Sequence, residues 1–519
     1  AVPSCPALPL SSALLQYSPP PAFPRSALLQ YRGEFSAVHR EVNRFGASQF
    51  VAGSLYSAES VLHEWLLDSS LRTADPSTAH LFYVPAYVSS LFLWPIYGQA
   101  VEPSYGGARY RGASRVRAAT LYLEAVQEYL RDALPFWNAS GGRDHIWPAL
   151  HDEGPCFVPR AVRASILLTH YGYYAPRPRA WTTYAGDDWL ADPVFYQKHI
   201  GLLAPPVDAL APHGRTRAAQ QERGRRRSAR GATACFDRSK DLILPSWKPP
   251  GWWRAGFSSV AALHPHRPRG LFVFFAGELG AKRQRGYSHD LRQRADSLFC
   301  DPALAGSRPR GCLEFAGGCR TDLQPTCRLW RPGVLITAHA GKGSEAYQAH
   351  LLNSTYCLAF PGDGWSSRVA DALVHGCVPI IVQDDSHMFN EGSFTAAGAP
   401  ELDFAAFSVR IPEAELPRLL QILDAVTPAQ LRALQQAALR VRDYFVYKDL
   451  YSPYRYARKD LLDRGREGQD ALLLLALALE ARARQLHKMP PTSAETVARN
   501  RRLLGLGLAA PSTAHRPIS

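Results

Sequence analysis

The chain has 519 residues, a formal net charge of +14, 46% hydrophobic and 11% aromatic residues. That length exceeds what one ordinary core needs, so two domains are expected, and the apolar content excludes a wholly disordered chain. The longest apolar run near the C-terminus, Ala471 to Leu479, is nine residues, whereas a bilayer-spanning helix needs about 20.

Residues 1–33 carry little charge, a PPP run and two copies of SALLQY, at Ser12 to Tyr17 and Ser26 to Tyr31. Two copies make no repeat fold, and the segment reads as a leader or linker. The chain opens on Ala rather than Met, which fits a signal or anchor removed from, or left out of, its start. SAESVLHEWLLDSS, Ser57 to Ser70, has apolar residues at helical spacing and predicts a helix. LFYVP follows as a compact β-type run ended by Pro85. Arg115 to Trp137 predicts a second amphipathic helix, DHIWPAL a short strand and SILLTHYG another. Helices alternating with short buried strands define an α/β sheet. KDLILPSW resumes as a strand after a break at 203–234. Turn-rich PPGWW and HPHRPRG place a domain boundary within 250–268.

A second α/β unit then starts at LFVFFAG, with GVLITAHA, YCLAF and VPIIV as further apolar strands. Such strands are expected of a parallel sheet covered on both faces. PEAELPRLLQILDAV and TPAQLRALQQAALRVRDYFVY read as helices with Pro near their starts. The domains are therefore expected at 34–255 and 266–450, followed by helices and a loose tail over 451–519.

Much of the positive charge is local. Arg215 to Ala232 holds seven arginines and one acid without a large apolar residue. It reads as a disordered surface insertion, bounded at 206–234, rather than a polyanion-binding loop. No aromatic is interleaved to stack bases, so nucleic acid is not an expected partner. Cys300, Cys312, Cys319 and Cys327 lie within 28 residues at spacings foreign to zinc sites. They fit a disulfide-bonded loop in an oxidising compartment, of unspecified connectivity. Asn138 and Asn353 head glycosylation sequons, the second beside a core strand where a glycan is not expected.

The stretch PGDGWSSR, Pro361 to Arg368, stands between a strand and a helix. Ligands of open α/β sheets bind beyond such strand ends. Gly362 and Gly364 allow close backbone approach, with Asp363 and Trp365 beside them. Ser366 and Ser367 stand where the helix starts, and backbone N–H groups there favour an anion. Arg368 adds a fork for phosphate oxygens, and Asp371 shares its helix face and could accept from ribose hydroxyls. The pattern fits a nucleoside diphosphate; a glycine turn with an Arg–Asp pair is the plain structural alternative.

TYCLAFPGDGWSSRVADALVHGCVPIIVQDD closely resembles the C-terminal signature of exostosin-type glycosyltransferases. LLDSSLRTADPSTAHLFYVPAY, HDEGPCF, RGLFVFFAGELG with YSHDLRQ, and DYFVY resemble other family blocks in the same order, over roughly residues 50 to 450. The YSHDLRQ block and the insertion look most like plant or algal members. The resemblance implies a GT-B type fold, two Rossmann-like α/β domains facing across a cleft. It implies an inverting enzyme that moves a sugar from a UDP-sugar to a growing glycan in the Golgi lumen, on a membrane anchor. The implied partners are the UDP-sugar, a glycan acceptor and other glycosyltransferase subunits; no metal or other cofactor is implied. An inactive relative that binds glycans or stabilises an active partner is the alternative.

Within that resemblance, residues 362–368, Asp371 and Arg292 of YSHDLRQ are the candidate donor contacts. The family acid is usually Glu, so Asp371 is one methylene short for ribose. Lys282 and Arg283 offer further charge, with solvated surface as their ordinary role. Adjacent Asp384 and Asp385 make a poor metal pair. An inverting transfer needs a base for the acceptor hydroxyl. HDEG, His151 to Gly154, stands at a strand exit, with Asp152 or Glu153 as base and His151 as hydroxyl-positioning group. Arg72, Thr73 and Asp75 read as a structural turn, and Tyr83 and Tyr87 as core residues rather than an acceptor platform.

Overall fold

The computed structural model describes residues 14–16, 58–68, 71–73, 75–86, 88–89, 115–152, 154–174, 193–200, 235–248, 252–279, 287–305, 313–315, 318–320, 326–341, 343–391, 401–447 and 470–488. The arginine-rich insertion, Lys282, Arg283, Tyr87, Glu153 and the tail beyond 488 lie outside them.

The first sheet joins β1 (Leu14–Gln16), β2 (Leu81–Tyr83), β3 (His145–Ala149), β4 (Ile166–Thr169) and, beyond the separate β5 (Gly172–Tyr173), β6 (Leu242–Ile243). Every pairing in it is parallel. Residues 14–16, expected in a leader, thus supply an edge strand. They do so because the open edge of β2 offers backbone groups that need partners, whatever the weak strand signal of a three-residue run. Helix α1 (Ala58–Asp68) appears where the spacing placed it. The long second helix is broken: α2 (Arg115–Ala133) stops before Leu134, and α3 (Pro135–Ser140) starts at Pro135. Leu134 is extended, at φ −132° and ψ 135°, because proline bars its predecessor from helical angles.

The second sheet runs in the order β10, β7, β11, β12, β14, again all parallel. Its members in chain order are β7 (Leu271–Ala276), then the antiparallel hairpin β8 (Leu313–Phe315) and β9 (Gly318–Arg320) outside the sheet, β10 (Val334–Thr337), β11 (Ser354–Ala359), β12 (Val378–Ile381), the separate β13 (Ser386–His387), and β14 (Val409–Arg410). Around them run α4 (Leu291–Phe299), α5 (Gly343–Leu352), α6 (Arg368–Val374), α7 (Leu419–Asp424), α8 (Pro428–Val441) and α9 (Ala471–Leu486). Alternation along β7 explains the unbroken apolar run. Val273 and Phe275 enter one core with Leu291, Leu358 and Ile380. Phe274 and Ala276 enter the opposite one with Leu351, Cys357 and Ala372. The expected helix at 412–426 begins instead as a 3₁₀ segment, Glu413–Arg418, because Pro417 lacks the N–H a regular helix would use.

A third cluster crosses the units. It runs from Leu62, Leu81 and Ile146 through Trp247 and Phe257 to Leu373, Tyr444 and Leu475. The apolar run at 471–479 is therefore the buried part of α9, capped by Asp470, which accepts from Leu472 N–H at 2.9 Å and Leu473 N–H at 3.2 Å. No helix among the described residues is long and apolar enough to cross a membrane. A backbone link adds to the shared core. β5 of the first unit pairs antiparallel with β13 of the second, Tyr173 opposite Ser386 and Gly172 opposite His387. Tyr174 N–H donates to Asp385 O at 3.1 Å beside it.

Among the described residues, three disulfides close loops: Cys156–Cys235, Cys300–Cys327 and Cys357–Cys377. Of these, the second comes from the cysteine cluster singled out by spacing. Asn138 is exposed at the end of α3. The Asn353 side chain instead accepts the Gly270 N–H at 2.8 Å, tied to the edge of the β7 entry.

Candidate functional site

Strand β11 delivers the chain into 361–367, and α6 begins at Arg368. The loop is pinned by backbone. Gly362 N–H donates to Trp365 O at 3.0 Å, and Ser288 N–H donates to Gly362 O at 3.1 Å. Gln383, just past β12, donates from Nε2 to Gly364 O at 2.9 Å. Gly364 is where the two units touch: a Cβ there would lie 1.7 Å from the Asp152 carbonyl oxygen. Only glycine permits that approach. The two motifs singled out in the sequence, PGDGWSSR and HDEG, are thus brought together, one at the exit of β11 and the other at the exit of β3.

His151 is buried, and Asp152 is half-buried at this contact. Trp365 lies against the first unit, its ring centroid 4.7 Å from that of His170 at the exit of β4. His170 donates from Nδ1 to Leu244 O at 2.8 Å, and burial lowers its pKa to about 4. It is a neutral ring at the cleft that strand spotting alone passed over. Asp363, Ser366 and Ser367 are half-buried on the loop. Ser367 occupies the helix N-cap with helical angles and makes no side-chain cap, contrary to expectation. Ser366 Oγ accepts from Arg368 N–H instead, at 3.3 Å.

Two arginines supply the positive charge. Arg292, on α4, is buried, with its guanidinium carbon 5.4 Å from the Phe275 ring centroid and Nη1 donating to Tyr287 Oη at 2.6 Å. Arg368 lies 4.8 Å from the same centroid. A Cβ on Gly362 would come 3.8 Å from Arg292 Nη2, and one on Gly277, at the end of β7, 2.1 Å from Arg368 Nη2. Aromatic faces hold both guanidiniums by cation–π attraction beside a glycine loop. Helix α6 has only seven residues, and the two guanidiniums place full positive charges near its start.

Asp371 does not stand open for a ribose. Its Oδ1 is in close contact with Lys248 Nζ, and Tyr347 Oη donates to Oδ2 at 3.0 Å. Lys248 comes from the segment after β6, and Tyr347 from α5. Neither residue was legible as part of the site.

Beside the loop, Ser288, His289 and Asp290 have φ of 56°, 55° and 60°. Left-handed angles cost non-glycine residues roughly 1–2 kcal/mol each. The turn seats His289 between two acids, Nδ1 2.5 Å from Glu413 Oε1 and Nε2 3.4 Å from Asp385 Oδ2. Asp384 exchanges backbone–carboxylate bonds with Glu413. Burial first, then the Glu413 charge, raises the Asp384 pKa to about 6. His289, Asp385 and Glu413 are the group whose donor atoms, within 4.8 Å of one another, could hold a metal ion among the described residues. Both ring nitrogens already face carboxylates, so an ion would have to displace one of these contacts.

Asp75 caps the turn at Pro76–Thr78 through Ser77 N–H. Tyr83 is fully buried in β2.

Two α/β units with parallel sheets meet at the glycine loop, and the arginine pair stands beside that loop within the second unit. The exostosin GT47 domain model matches residues 17–426, and the chain belongs to that family. It is 22% identical over 410 residues to a probable glucuronoxylan glucuronosyltransferase of Arabidopsis thaliana, covering 75% of this chain and 62% of that protein. It is 24% identical over 376 residues to a probable glucuronosyltransferase of Oryza sativa subsp. japonica, covering 72% and 64%. The chain thus spans somewhat less than two thirds of these relatives' length. An α,α-trehalose 6-phosphate synthase from Burkholderia multivorans aligns with 13% identity and a TM-score of 0.28, over 71% of this chain and 81% of that one.

Proposed function

We propose that this protein is an inverting glycosyltransferase that takes a sugar from a UDP-sugar and passes it to a growing glycan in the Golgi lumen. The observation that carries the reading is the meeting of the 361–368 loop with the Asp152 loop at Gly364, with Arg292 and Arg368 held over Phe275 beside the glycines. Family membership and the names of the relatives favour the same class, and they make UDP-glucuronic acid the first donor to test. The three disulfides favour an oxidising compartment.

In this reading the diphosphate rests against the loop backbone and the two guanidiniums. The acceptor oxygen attacks the anomeric carbon as the bond to UDP breaks. The hydroxyl proton passes to a carboxylate at the HDEG loop, Asp152 being the described candidate and Glu153 the second. The electron pair of the broken bond leaves with UDP, where Arg292 and Arg368 offset the growing charge. No metal is invoked in any step.

The test is transfer from UDP-glucuronic acid and other UDP-sugars to xylan oligosaccharides, with UDP release measured in parallel. Asp152→Asn and Glu153→Gln are expected to separate the base, one of them losing about 10²- to 10⁴-fold in kcat. Arg368→Ala is expected to weaken UDP binding. UDP affinity without turnover on any sugar would favour the inactive, glycan-binding alternative. Unaltered UDP binding in Arg368→Ala would remove the donor site from this loop.

A further inference from the structure

Arg368 and Asp371 are three residues apart on α6, a spacing at which opposite charges ordinarily pair. They do not pair here. Arg368 Nη1 donates to Tyr347 Oη at 2.9 Å, and Tyr347 Oη donates in turn to Asp371 Oδ2 at 3.0 Å. The carboxylate's other oxygen meets Lys248 Nζ. Lys248 and Asp371 side chains are only 5% and 4% exposed. The ammonium also lies 5.1 Å from the Trp252 ring centroid and 5.3 Å from that of Trp253. Burial lowers the Lys248 pKa, and the Asp371 charge opposes that shift. A lysine has been carried from the far end of the first unit into the wall of the second, at the desolvation cost of a buried charge.

We propose that Lys248 is a positioning residue for the donor site: by neutralising Asp371 it leaves Tyr347, not the carboxylate, to set the direction of the Arg368 guanidinium. The inference rests on the reading of Arg368 as a diphosphate contact and assigns Asp371 a role other than ribose binding. Without Lys248, a buried carboxylate one helical turn from Arg368 would compete with the ligand for the guanidinium. With it, Arg368 is oriented by a neutral hydroxyl, and its full charge stays available to an anion. Because Lys248 follows β6, the donor wall is completed only when the two units are docked.

The test measures UDP binding by calorimetry and KM and kcat by transfer assay on the full chain. Lys248→Met is expected to weaken UDP affinity and raise KM by about 10- to 100-fold, the scale found for outer groups that orient metal-binding side chains, with kcat much less affected. Adding Asp371→Asn to it removes the competing charge and should restore UDP affinity to near the starting value. A purely structural lysine would show no such rescue. Tyr347→Phe keeps the ring and the ion pair and should weaken UDP binding alone, so it carries the test if Lys248→Met does not fold. Unchanged affinity in Tyr347→Phe, or failure of the double variant to recover in a folded protein, overturns the proposal. If Arg368→Ala weakens UDP binding while those outcomes occur, the donor reading stands and only the relay falls. If Arg368→Ala binds UDP normally, the donor reading itself has failed.

Discussion

The two sheets share a parallel design but are secured differently. In the first, strands run from two to five residues and each face is held by a separate cluster, one of which it shares with α9 and the second unit. In the second, β7 and β11 have six residues each and sit between two cores of their own. The difference teaches where precision is kept. The glycine loop leaves one of the longer, doubly covered strands and the arginine pair stands on helices of the same unit, whereas the candidate base stands on the unit that leans on a long-range disulfide and a borrowed helix.

Removing disulfides should sharpen that contrast most. Cys156–Cys235 spans 79 residues and Cys357–Cys377 spans 20. On a chain-entropy model their loss costs about 4.5 and about 3 kcal/mol respectively. Paired Cys→Ala variants, unfolded in denaturant, should show the first unit losing more. Equal losses would mean that the short sheet needs no such staple.

Next in size is Gly364→Ala. Its methyl would meet backbone, the Asp152 carbonyl, at 1.7 Å, so no side-chain rotation relieves it. About 2–3 kcal/mol of destabilisation with a loss of transfer far exceeding the loss of UDP affinity is expected. An intact kcat would show that the loop–loop contact is dispensable. Gly277→Ala probes the second unit alone, since its methyl would meet the tip of Arg368 at 2.1 Å. Folding should survive, and UDP affinity, read by calorimetry, should fall roughly tenfold, equivalent to about 1.4 kcal/mol.

Titration should separate the buried histidines of both units from Asp384 by sign. Burial lowers the pKa of His63 and His170 in the first unit, and of His375 in the second, to about 4. Each contributes stability that is complete above the unfolded value near 6.5 and is lost as pH falls toward 4. Asp384 acts oppositely. Its pKa is raised to about 6, so the folded state holds a proton that the unfolded state has released, and stability falls as pH rises from about 4 to about 6. Melting temperatures of Asp384→Asn relative to the parent should therefore climb across that window, and a flat difference would contradict the assignment. Smallest of all, deleting residues 209–234 should leave melting and UDP affinity unchanged; loss of all measurable ligand binding would favour a polyanion-binding role for that segment.

How much was legible follows from what each signal depends on. The strands LFVFFA and VPII announce themselves through unbroken apolar runs, and PGDGWSSR because glycine and arginine stand at a strand exit. The break at Pro135 was equally local and could have been read from proline alone. Lys248 and Tyr347 could not. They lie 123 and 24 residues from Asp371, and an isolated lysine beside prolines and tryptophans carries no periodic or motif signal. Gln383 looked like part of an acid run, yet its use is to hold Gly364. Strand β1 hid in a proline-bordered segment because three residues give alternation nothing to act on.

The Cys156–Cys235 bond has one more consequence. It clasps the polypeptide on both sides of the arginine-rich segment. A protease that cuts after any of those arginines would produce two pieces that still travel together. They would part on a gel only after a reductant is added.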